Sequence, residues 1–331
     1  MRELERRRSE TASRLANLRV KLEAAEEMVS GKACVYTTGS FGRGDASPYS
    51  DLDLFIVGRL DDDKEEEPTS ALKRLDDVLV RADLVRATRD LKIPDFDGDG
   101  KYLVHYSIAD LTKTLGHPED DVTNTFTARL LLLLESSPLL GRSVYESITR
   151  DVIARYWQDF SDHEASFIPG FLANDILRLW RTFCVNYEVR TASTSVEKKA
   201  KRKVKNFKLK HSRLLTCFSA LLFLLNVFRL NKTVRSEDAV EMIKLSPTQR
   251  LEKIAGMHAD MSVQSCVSKL LDQYDAFLEM TNHSELELVS IFQDGVRYQP
   301  YKERGHAFGN TMFNAVNLVG DGSLFHRILT V

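Results

Sequence analysis

Two aspartates alternate with two leucines at Asp51-Leu52-Asp53-Leu54, inside the stretch TTGSFGRGDASPYSDLDLFIV (residues 37–57), and no other feature constrains the fold as much. Side chains on a strand point to alternate faces, so the pattern predicts a strand with both carboxylates on one face and both leucines in a core. Carboxylates that close repel each other, and both stay ionised most readily with a cation between them. Mg2+ is the expected ion, with Mn2+ as its substitute, because it prefers oxygen and commonly takes one or two carboxylates plus substrate phosphate oxygens. Upstream, Gly39 lets the backbone turn sharply beside a ligand, and Ser40 offers a hydroxyl and an amide to a phosphate. Gly42 and Gly44 extend this bare surface, and the planar guanidinium of Arg43 between them suits a phosphate or a leaving pyrophosphate. A nucleoside triphosphate, ATP among them, is the substrate such a site would take.

The rest of the chain divides by texture. Leu15, Leu18, Leu22 and Ala25 recur at helical spacing among charges, so an amphipathic helix is expected over residues 3–29. ACVYTTG, DLDLFIVG and KYLVHYSI (101–108) read as three strands, and a helix is expected from Pro68, Thr69 or Ser70 to about Leu91. After Leu111 the strand signals fade and helical patterns follow one another to the C-terminus. The expected fold class is α+β: an N-terminal helix (1–30), a small α/β domain with a mixed sheet (31–145), and a larger α-helical domain (146–331) that binds the acceptor. LLTCFSALLFLLNVF (214–228) is shorter than a membrane span and carries Thr216, Ser219 and Asn226, so it reads as a buried core helix, and no membrane partner is expected. The four cysteines, Cys34, Cys184, Cys217 and Cys266, lack CxxC spacing and read as reduced. With no apolar signal segment at the start, the expected location is cytoplasmic.

The order Gly39-Ser40, then Asp51-Leu52-Asp53, resembles the signature of the DNA polymerase β-like nucleotidyltransferase superfamily. GSFGRGDASPYSDLDL is similar to its bacterial branch of PII uridylyltransferases and glutamine synthetase adenylyltransferases. A weaker likeness runs through DDVTNTFTARLLLLLES, and NDILRLWRTFCVNYE with KNFKLKHSRLLTCFS resembles a helical companion region of bacterial proteins in that superfamily. The resemblance implies a Mg2+-dependent transferase that moves a nucleoside monophosphate onto an acceptor hydroxyl, on a protein first of all, and releases pyrophosphate. Other members implied by the same motif make oligonucleotide second messengers or modify RNA in toxin and defence systems. A nucleotide-binding regulatory module with lapsed catalysis is the alternative outside the enzyme class.

The superfamily uses a third carboxylate on a neighbouring strand. Asp95, Asp97 and Asp99 in DFDGDG are the candidates, and the register to HYSI favours Asp99, so the expected metal and catalytic set is Asp51, Asp53 and Asp99. A polar turn is the plain alternative for these residues; a calcium loop fails because Tyr106 stands where its glutamate belongs. A formal charge of -2 gives no global sign of nucleic-acid binding. The basic segment 198–213 is the one strong positive cluster: it reads either as a solvated face or, through Lys205 and Lys208, as a patch for triphosphate or a nucleic-acid acceptor. His105, His211 and His306 have no partner at metal-ligand spacing and read as ordinary polar residues. GHAFGNTMFNAV (305–316) reads as a loop.

Overall fold

The strand expected at the alternating aspartates lies inside a four-stranded sheet. A computed structural model of the chain describes residues 2–61, 70–96, 100, 103–189 and 195–329. The chain forms two compact units, Glu5–Gln158, and Asp159–Val331 together with Met1–Leu4. The fold is α+β, a mixed-sheet unit followed by a helical one.

The first unit runs α1 (Arg2–Lys21), α2 (Glu23–Val29), β1 (Ala33–Thr38), α3 (Gly39–Arg43), β2 (Asp53–Gly58), α4 (Arg74–Asp90), β3 (His105–Ser107), α5 (Ile108–Lys113), α6 (Glu119–Val122), α7 (Thr125–Glu135), β4 (Ser137–Leu140) and α8 (Arg142–Tyr156). The sheet order is β3-β2-β1-β4; β1 is antiparallel to β2 and to β4, and β2 is parallel to β3. A parallel pair needs a long crossover, which α4 supplies between β2 and β3. Every residue of β1 is buried, as a central strand covered on both faces requires. Leu15, Leu18, Leu22, Ala25 and Val29 pack with Leu54 and Ile56 of the sheet and with Val80, Leu84 and Ala87 of α4.

Four expectations are corrected here. The N-terminal pattern forms two helices, parted at Leu22. The short segment Ser137–Leu140 is a strand, although strand signals fade in the sequence after Leu111. Helix α4 opens at Arg74, and Ser70 instead bridges Leu60 in antiparallel fashion; Pro68 and Thr69 lie outside the described residues. The third strand is described over His105–Ser107 alone, with Lys101 and Tyr102 outside the described residues.

Arg129 of α7 is fully buried. It donates to both carboxylate oxygens of Asp120, to the Leu111 carbonyl and to the Tyr156 hydroxyl, so one guanidinium ties α5, α6 and α8 to α7.

The second unit is α9 (Gly170–Val189), α10 (Val196–Lys208), a π-helical turn (Leu209–Arg213), α11 (Leu214–Asn231), α12 (Ser236–Lys244), α13 (Pro247–Met257), α14 (Met261–Met280), α15 (Glu285–Gln293), α16 (Gly295–Gly320) and α17 (Leu324–Ile328). Ser246 and Ser284 cap α13 and α15 through reciprocal capping boxes, which is why those helices start where they do. Val196–Asn231 is continuous and, among the described residues, the one helix long and apolar enough to cross a membrane; most of its apolar stretch is buried inside this unit. GHAFGNTMFNAV is not a loop but lies within α16, where buried Gly305 meets Phe207, Lys210 and His211 at close range. All four cysteines are free, Cys34 and Cys217 buried.

Candidate nucleotide site at one end of the sheet

The antiparallel register pairs Thr38 with Asp53, so the turn that follows β1 lies beside the aspartate that starts β2. Gly39 has φ +63°, a left-handed conformation that disfavours side chains. A Cβ there would also lie 2.6 Å from Asp53 Oδ2, so the backbone demands glycine and any side chain would push the carboxylate aside. The expected alternation holds: Leu52 and Leu54 are 1% and 4% exposed, while Asp51 and Asp53 are exposed. Asp51 precedes β2 rather than belonging to it. Ser40 is half-buried, and its hydroxyl makes no hydrogen bond among the described residues. Two exposed carboxylates and a hydroxyl are hard oxygen donors, which fits Mg2+ better than a soft metal. Among the described residues no three metal-capable side chains converge.

Arg43 does not stand ready for a phosphate. Its side chain is 8% exposed and donates to both oxygens of Asp45 and to Glu135 Oε2, 3.1, 3.2 and 2.9 Å away. Two carboxylates already balance this guanidinium, and freeing it would strand them in the core. Gly42 is likewise no bare ligand surface: a Cβ on it would lie 2.0 Å from the Glu135 carbonyl and 2.7 Å from that of Thr37. Gly44 closes α3 in a left-handed cap, its N–H turned back to the Phe41 and Ser40 carbonyls. The glycines therefore shape the turn, and of the three Gly39 is the one that lies against an exposed carboxylate, that of Asp53.

Glu135, at the end of α7, receives the Gly39 N–H on Oε1 at 3.2 Å as well as Arg43 on Oε2. One buried carboxylate thus sets both ends of α3, and sequence reasoning missed it. Its signal was an acid closing a run of five leucines at a helix end. Helix α1 fixes the chain between turn and aspartates from the other side. Thr11 Oγ1 accepts the Ala46 N–H, Arg7 donates to the Asp45 carbonyl and Arg14 to that of Ser47, and Arg14 also covers the Phe41 ring at 4.5 Å. The loop ends in a turn in which Ser47 and Ser50 bond each other.

Asp97 and Asp99 lie outside the described residues. Asp95 pairs with Arg89 at 2.9 Å on the surface, and those hydrogen bonds hold its carboxyl below the usual range. Lys205 and Lys208 belong to the helical unit, both exposed on α10, whose Ala200, Val204 and Phe207 turn inward. Asp175 and Arg178 on α9 form an ion pair at 3.8 Å.

Residues 18–124 match the family model described as nucleotidyltransferase domain. The match takes in α2 through α6 and with them Gly39, Ser40, Asp51 and Asp53, and it stops before Glu135 and the helical unit. No curated protein and no solved structure matches the chain.

Proposed function

We propose that this chain transfers a nucleoside monophosphate from a nucleoside triphosphate to an acceptor hydroxyl, and that Gly39, Ser40, Asp51 and Asp53 form the site. The observation that carries the reading is the Thr38–Asp53 register, which sets a side-chain-free turn against an exposed carboxylate inside the segment that matches the nucleotidyltransferase model. Asp51 and Asp53, with Asp99 as the third carboxylate, would hold a divalent cation, which when bound neutralises the triphosphate and lowers the pKa of the acceptor hydroxyl. Ser40 would donate its hydroxyl to a phosphate oxygen, and Gly39 lets that phosphate approach beside Asp53. Glu135, Arg43, Asp45, Thr11 and Arg14 do no chemistry; they hold the turn and the loop in one geometry, and transfer at phosphorus depends on positioning and charge neutralisation.

The acceptor is a protein hydroxyl in this reading, supported by the likeness of GSFGRGDASPYSDLDL to the uridylyl- and adenylyltransferases, with the helical unit as acceptor-binding region in the cytoplasm. The free cysteines suit that reducing compartment. A second reading, transfer to RNA or to a nucleotide, is favoured by the exposed Lys198, Lys199, Lys205 and Lys208 on α10. The deciding experiment incubates the pure protein with each α-labelled nucleoside triphosphate and Mg2+, with and without cell extract. Label on protein supports the first reading; label on RNA or on a small nucleotide product supports the second. No transfer with any nucleotide overturns both and leaves a binding module.

A further inference from the structure

A second group of reactive side chains stands at the other end of β2. Gly58 is five residues along that strand from Asp53, about 17 Å at the strand rise, so the two places are separate sites. There Ser70 Oγ lies 2.9 Å from His105 Nε2, and His105 Nδ1 lies 3.7 Å from Asp77 Oδ1. The three residues come from the segment before α4, from β3 and from the first turn of α4, so only folding brings them together. Gly58 makes the pairing possible: a Cβ there would sit 1.9 Å from Ser70 Oγ and 2.9 Å from His105 Nε2. All three side chains line a cleft of about 620 Å³, a volume suited to a small-molecule ligand.

We propose that this cleft is an esterase-type site in which Ser70 is the nucleophile, His105 its general base and Asp77 the group that orients the imidazole. The Asp77 carboxylate beside Nδ1 favours the proton there, leaving Nε2 to accept from the Ser70 hydroxyl. Arg81 fixes Asp77 through two hydrogen bonds, and burial together with the Arg81 charge keeps the imidazole neutral, in its basic form, against the opposing pull of Asp77. Among the described residues, Lys73 and Arg74 also line the cleft, and Asp61 is the one lining acid besides Asp77, which Arg81 pairs. The site therefore suits an acyl ester that carries a negative charge. In the reaction, the Ser70 Oγ–carbon bond forms as its proton passes to His105 Nε2. The ester C–O bond then breaks, and the leaving alkoxide takes that proton. Water then attacks the acyl carbon as its proton passes to His105; the Ser70 Oγ–carbon bond breaks, Oγ takes that proton back, and the acid leaves.

The test is labelling of the full chain with a fluorophosphonate, in which a Ser70 O–P bond replaces P–F. Peptide mass spectrometry is expected to find the adduct on Ser70, absent in Ser70→Ala and formed at least about tenfold more slowly in His105→Gln. The adduct should form equally in the Asp51→Ala, Asp53→Ala double variant, which keeps this outcome apart from that of nucleotidyl transfer. A p-nitrophenyl monoester of succinate should be cleaved faster than p-nitrophenyl acetate, and Lys73→Glu with Arg74→Glu should reverse that order. No adduct at Ser70, or wild-type labelling in a folded His105→Gln chain, overturns the proposal.

Discussion

Two buried groups in the sheet unit and one in the helical unit are held in contrasting states. In the sheet unit, Arg43 is held by Asp45 and Glu135, and Arg129 by Asp120, each buried charge facing an opposite one from a different element or turn. In the helical unit, His211 sits between Phe277 and Phe308 at ring distances of 4.5 and 4.9 Å, with Nδ1 on the Phe207 carbonyl. Burial pushes its pKa down to about 4, the Phe207 carbonyl opposes this, and Lys210 and Arg304 add to it. A paired charge fixes where a particular loop must go, because only one arrangement leaves neither partner alone. A neutral ring fixes only a volume, and it fails when it becomes charged. The unit that carries the candidate nucleotide site uses the first device around its site, which fits a task that depends on position.

The largest expected effect separates that scaffold from the chemistry it supports. Asp51→Ala with Asp53→Ala should lower nucleotidyl transfer by about a thousandfold or more. Both side chains are exposed, so the urea unfolding midpoint should stay where it is. Loss of fold together with activity would mean that these carboxylates belong to the scaffold. Glu135→Ala should do the reverse: it takes one buried carboxylate from Arg43 and the side-chain acceptor from the Gly39 N–H, at a cost of about 3–5 kcal/mol in urea unfolding. Glu135→Gln keeps an acceptor for Gly39 and should cost less. If Glu135→Ala were nearly neutral, the contrast between paired charge and neutral ring would collapse.

The pH response comes next in size and belongs to the helical unit. The folded-state pKa of His211 lies below the unfolded value of 6.5, so the unfolded chain binds more protons between pH 6.5 and about 4. Stability is therefore complete above pH 6.5 and falls as pH drops through that window, by about 3 kcal/mol at its lower end. Hydrogen exchange in α11, α14 and α16 measured from pH 7 to 4.5 should show protection falling, and His211→Phe should flatten the response. Equal loss of protection in β1 and α7 would place the sensitive group elsewhere.

How far the sequence could be read follows the same division. The alternation of Asp51, Leu52, Asp53 and Leu54 is a local pattern with one geometric meaning, and strand β2, its buried face and the turn at Gly39 follow from it. Arg43 misled because an arginine between two glycines looks exposed, whereas its partner Glu135 lies 92 residues away and becomes a neighbour only through α7. The same distance hid the roles of Thr11 and Arg14, whose helix shows its leucines in the sequence but not what its polar side holds. Strand β4 carries a proline and only four residues, too few for a periodic signal, and it exists because β1 offers an edge. His105 looked solitary because Ser70 and Asp77 reach it across a crossover.

The smallest effect concerns the exposed face of α10. Lys205 and Lys208 are three residues apart, on the same side of a helix that turns Ala200, Val204 and Phe207 inward. Both side chains are exposed, so reversing the charges, Lys205→Glu with Lys208→Glu, should change unfolding stability by no more than about 0.5 kcal/mol. If this face meets a phosphate backbone, single-stranded RNA retained at low salt should be lost from the variant, and the slope of log affinity against log salt should fall in magnitude by about two. Few aromatic side chains stand among these lysines, so binding by base stacking would not survive the loss of charge. An unchanged slope would confine the two lysines to solvating the helix. The α10 face would then be a solvated surface, and recognition of the acceptor would have to come from another face of the helical unit.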